Sequence, residues 1–268
     1  MQAALPMYFP PHAALQAFWA DLAALLHADP SIQGIGIPAL LSQPADCHAQ
    51  WLEPDLLLSQ ACGYPLVTQL AGKVQLVGTF AYQAAGVQGI DCKSQLICRA
   101  NDTRDTLAAF VGSTLAFNDT ISQSGYNALR ALVASTTTAR PFFGSSIQTG
   151  AHYRSIEAVR LGQADMAAVD AVSWALWQQG HAEYAAELKV FGQTAAYPGL
   201  PLITSLQTPA ALVAALRHAL HTVATSAAHA NVRAPLLISG FETTTLAHYQ
   251  RCLDMQEQAC AAGLHQRV

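Results

Sequence analysis

The sequence predicts an α/β fold of two lobes, each a mainly parallel sheet flanked by helices. Three observations lead there. The 268 residues are 52% hydrophobic and only 11% charged, enough apolar material for one two-lobed unit or two modest domains. Short apolar runs alternate with stretches of helical periodicity along the whole chain, the order expected of parallel βα units. Two aperiodic segments, 90–93 and 195–199, set the middle of the chain apart from its joined ends.

Taken in order, Ala3 to Tyr8 forms a first strand before Pro10-Pro11. Leu15, Phe18, Trp19, Leu22 and Leu25 recur at helical spacing within Ala14 to Leu26. Ile32 to Ile37 forms a second strand, its glycines too few for a phosphate loop, and Asp55 to Ser59 a buried one. A short helix to Leu70 and a strand from Lys73 to Phe80 follow. Beyond the first crossing, Ser94 to Arg99 is a strand, Thr106 to Val111 a helix and Ser113 to Phe117 a strand. Phe142 to Ile147 leads into a helix ending at Leu161, then a strand from Met166 to Val169 and a helix from Ala171 to Gln178. Leu188 to Thr194 closes this set. After the second crossing come a strand to Ser205, a helix from Pro209 to Thr225, a strand at Leu236 to Ile238 and a final helix from Thr243 to Ala261. Residues 1–89 plus 200–268 thus make lobe one and 94–194 lobe two, with 90–93 and 195–199 as hinge crossings.

Composition removes several functions. A net charge of −4 without a basic cluster argues against nucleic acid as a partner. The six cysteines show no metal-binding spacing, so no metal and no cofactor is expected. Cys92 and Cys98 would stand about 20 Å apart along one strand, too far for a disulfide. No apolar run reaches membrane-spanning length. Met1-Gln-Ala-Ala-Leu-Pro6 lacks the charged and apolar regions of a signal peptide, which leaves either a cytoplasmic chain or a leader outside this sequence. A monomer is expected.

The chemistry concentrates where strands end and helices begin, which is where open α/β sheets bind ligands. Three such junctions stand out: Ser59 to Tyr64, Asp119 to Asn127, and Thr149 to Ser155. A cleft between two lobes would bring them together. In Phe117-Asn-Asp-Thr-Ile-Ser-Gln-Ser-Gly-Tyr-Asn127, Ser122 or Ser124 can cap the following helix. Its first turn presents backbone N–H groups from Gly125, Tyr126 and Asn127, a setting suited to a small oxyanion. His152 at the next helix start can donate to such an ion, and Arg154 can bind it in bidentate fashion. Asp119 and Asp170 only accept, so they can bind the hydroxyl of a monoprotonated oxyanion. A cap on the helix after it is the other reading of Asp170. Tyr8, Tyr64 and Tyr126 can wall an organic substituent or belong to the core.

Four stretches carry a family resemblance: Asp55-Leu-Leu-Leu-Ser-Gln-Ala-Cys-Gly-Tyr-Pro65, Asn118-Asp-Thr-Ile-Ser-Gln-Ser-Gly-Tyr-Asn127, Gly150-Ala-His-Tyr-Arg-Ser-Ile156 and Gly162-Gln-Ala-Asp-Met-Ala-Ala-Val-Asp170. Together they resemble the phosphonate/phosphite/phosphate-binding proteins of ABC importers. The resemblance implies a type II periplasmic-binding-protein fold, closure of the lobes over a small oxyanion, an ABC permease as partner and a periplasmic location. It places the serine-rich helix start on Ser122, Ser124 and Gly125, the histidine on His152 with Ser155 one turn on, the cleft-facing acid on Asp170, and the lobe-one contact on Gln60 to Tyr64. The chain departs from the family in two places. Gly150-Ala-His152 stands where Gly-Ser-His is common, and Asp91-Cys-Lys-Ser94 where an aromatic is common. An enzyme on the same fold, such as a cytoplasmic biosynthetic one, is the alternative, and a soluble ligand sensor a third. No nucleophile–base pair is visible, since Cys62 has no histidine nearby in sequence.

Overall fold

The run Leu56-Leu-Leu58 is fully buried, and the first sheet is built around it. The structure, a computed structural model, describes residues 1–136 and 141–264. Strand Leu56–Gln60 pairs in parallel with Gln2–Ala4 on one side. On its other side lies Pro201–Ser205, antiparallel to it and to the next strand, Val74–Tyr82. Ile238–Glu242 closes the edge, also antiparallel. Helix His12–Ala28 buries Phe18, Trp19 and Leu22, the face its spacing predicts, and Phe18 meets Phe80 edge-on at 5.7 Å.

The second sheet runs in the order Leu188–Gln193, Ser94–Arg99, Met166–Asp170, Thr114–Phe117, Ser145–Gln148. Its last three strands are parallel to one another, and the first two pairings are antiparallel. Met166–Asp170, the middle strand, has no exposed residue, as expected of a strand covered on both faces. Phe110, Leu115, Leu129, Val133 and Phe142 form the core on one side, and Ile97, Ile156, Val159, Trp174 and Trp177 that on the other.

These two five-stranded sheets belong to separate units. One comprises Met1–Gln83, Gln88–Ile90 and Gly199–His248, and the other Ala84–Val87, Asp91–Pro198 and the chain from Tyr249 onward. The boundaries drawn from sequence shift at two places. Ala84–Val87 joins the second unit because Gln95 donates to the Ala85 carbonyl at 2.7 Å and Lys93 N to Gly86 O at 2.9 Å. The last helix, Gln250–Ala261, joins it because its inner face is engaged by Asn127, whose amide donates to the Cys252 carbonyl at 2.8 Å.

Several elements are shorter than their periodicity suggests. The first strand stops at Ala4, ahead of Pro6, which has no N–H to give a ladder. Ile32 to Ile37 is not a strand: a 3-10 turn ends at Ile32, and Gly34 turns the chain at φ 84°. Thr106 to Val111 contracts to a 3-10 turn over Leu107–Phe110. The strand placed at Leu236 runs instead from Ile238, after Leu237 adopts a left-handed φ of 59°. Among the described residues no helix is long and apolar enough to cross a membrane.

Gly78 marks a tight point in the first sheet. A Cβ there would overlap the Phe241 ring and the Glu242 backbone carbonyl. The carbonyl belongs to a paired strand and has little freedom to move, so Gly78→Ala should destabilise this unit by about 1–3 kcal/mol. Urea melts of the two proteins check this, and an unchanged midpoint would contradict it.

Candidate functional site

The register of two parallel strands creates the site. Thr114–Phe117 and Ser145–Gln148 end level, with Phe117 opposite Gln148. The chain turns into a helix after each strand, so two helix N-termini open beyond neighbouring strand ends. Backbone bonds pin the junctions together: Thr149 N donates to Phe117 O at 2.8 Å and Gly150 N to Asn118 O at 2.9 Å.

The first helix opens with a π-helical turn over Gln123–Asn127 and continues as an α-helix over Ala128–Thr136. Ser122 is its cap. The Ser122 hydroxyl accepts from Gly125 N at 3.0 Å, and its carbonyl accepts from Asn127 N, five residues on, at 2.9 Å. The second helix, His152–Arg160, begins with His152, and Ala151 ahead of it contributes no side-chain cap. Its imidazole Nε2 lies 2.8 Å from Ser124 Oγ. The residue is 9% exposed, and Nδ1 has no hydrogen-bond partner. Burial pulls the imidazole from its ordinary 6.5 to about 4, so it is neutral near pH 7.

Gly125 lies where the two starts meet. A Cβ there would overlap Asn118 Oδ1 and press on the imidazole at 3.2 Å from Cε1, so no larger residue fits undisturbed. Asn118 Oδ1 is itself buried without a partner. Ser94 supports the turn from the neighbouring sheet strand: its hydroxyl donates to Ser124 O at 2.7 Å and lies 2.7 Å from the Tyr197 hydroxyl. Thr149 and Asn118, known from sequence only as members of the junction stretches, and Ser94 and Tyr197 all bear on this junction without having been assigned a role at the site. Ser94 stood only as a departure from a family pattern, and nothing local marks it as a partner of a residue thirty positions away.

Other expected ligands are engaged differently. Ser155 is fully buried and 2.7 Å from the Thr149 hydroxyl, so it closes its own helix start instead of facing the serines. Arg154 is exposed and folds over Tyr153, donating to its hydroxyl at 2.9 Å. Asp119 accepts from Ile121 N at 3.0 Å and shapes the turn ahead of Ser122. Asp170 caps the helix Ala171–Gly180 through Val172 N and Ser173 N, at 2.8 and 3.1 Å, while its second oxygen accepts from Cys92 Sγ at 3.5 Å. Burial beside that carboxylate pushes the Cys92 thiol well above its usual range. Tyr126 packs on Phe117 at 4.9 Å in the core. Two of the three assigned N–H donors, on Gly125 and Asn127, are taken up within the turn.

Tyr8, Gln60 and Tyr64 belong to the first unit. There Gln60 donates to the Tyr82 hydroxyl at 3.1 Å, and Tyr8 meets the Tyr82 ring edge-on at 5.4 Å. Tyr64 is half-buried on the short helix Gly63–Thr68.

The second unit therefore holds a serine–histidine pair that sequence spacing did not suggest. Among the described residues, Nδ1 meets no hydrogen-bonding group that would orient the imidazole. A base of pKa about 4 is also too weak to take a hydroxyl proton near neutrality. Neutral hydrogen-bonding groups at two helix N-termini suit the holding of an anion.

The profile of the ABC-transporter phosphonate family, described as periplasmic substrate-binding proteins, matches residues 53–249, well over half of the chain. No curated protein matches in sequence. Among solved structures, the chain is similar to a binding-protein component of an ABC phosphonate transporter from Pseudomonas aeruginosa, with TM-score 0.74 and 16% identity over 100% of this chain and 90% of that one. PhnD1 from Prochlorococcus marinus, in complex with methylphosphonate, gives 0.72 and 13% over 96% of each chain. A Xanthomonas citri protein bound to ATP gives 0.67 and 14% over 99% of each. One fold thus serves unlike ligands, and local donors decide among them.

The depressed imidazole carries a stability signature. The unfolded chain takes up a proton near 6.5 and the folded one only near 4. Stability from this group is therefore complete above about pH 6.5 and lost progressively as pH falls towards 4, on the order of 3 kcal/mol in all. His152→Gln should flatten the profile between those limits. Denaturant melts at stepped pH would show it, and parallel curves for the two proteins would refute it.

Proposed function

We propose, from the premise that this chain belongs to the periplasmic substrate-binding proteins of ABC phosphonate transporters, that it captures a small oxyanion of the phosphonate, phosphite or phosphate type at the paired helix starts of its second unit. It then delivers the ion to an ABC permease, and the same reading puts the chain in the periplasm. One observation carries the ligand assignment: His152 is buried with Nδ1 unpartnered, beside the Ser124 hydroxyl, where two helices begin. Leaving such a nitrogen bare costs about 1–3 kcal/mol, which a ligand oxygen would recover. Each helix dipole adds about 0.3–1 kcal/mol of attraction for an anion at its N-terminus. Ser122, Ser124 and His152 form the grip, and the missing side chain at Gly125 lets Asn118 and the imidazole close against the turn. Asp119 and Asp170 remain caps in this reading, and Ser155 and Arg154 support the second helix start.

Methylphosphonate, the ligand in the Prochlorococcus relative, is the first probe. Ser124→Ala removes one hydroxyl from the grip and should weaken its binding by about 1.5–3 kcal/mol, roughly ten- to a hundredfold. Calorimetric titration of both proteins measures this directly. Equal affinity would remove Ser124 from the site, and heatless titrations of the parent with methylphosphonate, phosphite and phosphate alike would reject the ligand class.

A further inference from the structure

The turn bearing Ser122 and Ser124 is braced by the last helix of the chain, and we infer that Asn127 is the positioning residue through which that helix sets the anion-binding geometry. The inference rests on the oxyanion reading above. Asn127 is fully buried. Its Nδ2 donates to Gln123 Oε1 and to the Cys252 carbonyl, both at 2.8 Å, while its backbone N closes the π-type bond to Ser122 O. Both side-chain partners are acceptors, so the orientation of the amide is settled by the bonds themselves. Gln123 Nε2 in turn lies 3.1 Å from Met255 Sδ on the same helix. One turn further along, Arg130 donates through Nε to Leu264 O at 3.1 Å.

A π-turn holds one residue more than an α-turn and is intrinsically disfavoured, so something must hold it open. Reclosing it as an α-turn would rotate Ser124 by about 100° relative to the helix body and carry its hydroxyl away from His152. Asn127 opposes this at both ends of the turn, by its backbone to Ser122 and by its side chain to Gln123. Packing alone does not account for an amide here. Asn127 Oδ1 is buried without a partner, a defect that an apolar side chain of equal size would avoid. The bonds made by Nδ2 are what the residue contributes. Cys252 and Met255 lie far along the chain, so the C-terminal helix becomes part of the binding machinery without touching the ligand.

Asn127→Leu tests this, with Leu188→Ala, a buried residue of the far edge strand in the same unit, as a control for general loss of stability. Two readouts are taken: methylphosphonate affinity by calorimetry, and the 15N resonances of the His152 imidazole in the empty protein. The expected result is an affinity loss of about tenfold or more in Asn127→Leu, with a shifted Nε2 resonance as the Ser124 hydroxyl moves. Leu188→Ala should lower the melting temperature while leaving affinity and resonance in place. Should Asn127→Leu fail to fold, Gln123→Met breaks the same network from its other side and is held to the same two readouts. An unshifted imidazole in the folded variant overturns the positioning role whatever affinity does. If the parent protein itself binds none of methylphosphonate, phosphite and phosphate, the oxyanion reading fails instead, and the imidazole resonance still decides whether Asn127 places the turn.

Discussion

The level ending of two parallel strands, Phe117 opposite Gln148, is the constraint on which the second unit's chemistry depends. Side chains 28 residues apart, Ser124 and His152, come within hydrogen-bonding distance because both helices begin from that common line. A parallel register shifted by one residue would turn the faces of the strand over and separate the helix starts. Burial of Leu115 and Ala116 against Met166 and Ala167 fixes the first of these strands. The second, exposed along its length, is held level by backbone bonds at its two ends, Gly144 N to Ser113 O at 3.0 Å and Thr149 N to Phe117 O at 2.8 Å.

The polar atoms gathered at this junction carry little formal charge. The imidazole is neutral through burial, Arg154 lies outside over Tyr153, and Arg130 is directed towards the Leu264 carbonyl. Asp119 and Asp170 spend their carboxylates on backbone N–H groups at neighbouring turns. What faces the junction is a set of hydroxyls, an imidazole nitrogen and helix dipoles. Such groups are costly to bury unmatched and lose little on reorganising around an anion that fits, which favours selectivity by shape and hydrogen bonding over simple charge.

Support for this arrangement comes from far along the chain. Ser94 donates to the Ser124 carbonyl and meets the Tyr197 hydroxyl from the other crossing, and Gln123 and Asn127 meet the C-terminal helix. The π-turn places a residue surplus where these contacts converge. Buried polar networks of this kind specify one geometry because each member satisfies another, and loss of one strands its partner.

Periodicity and composition by themselves determined a large part of this protein. The alternation of apolar runs and helical repeats identified the α/β class. The capped junction at Ser122 and the helix start at His152 were legible because N-cap chemistry and helix starts are local, decided by a few adjacent residues. Elements ruled by a local veto were also within reach in principle, as Pro6 and Gly34 show. Tertiary structure decided the rest. The transfer of the last helix to the second unit depends on Asn127 meeting a backbone carbonyl 125 positions away, which no window of sequence reveals. The same holds for Ser155, which the family resemblance set towards the ligand yet which turns to Thr149, and for the π-turn, which periodicity at 3.6 residues cannot display. Burial decided the charge of His152: its residue type allows a proton near neutrality, and only the desolvation imposed by packed neighbours removes it.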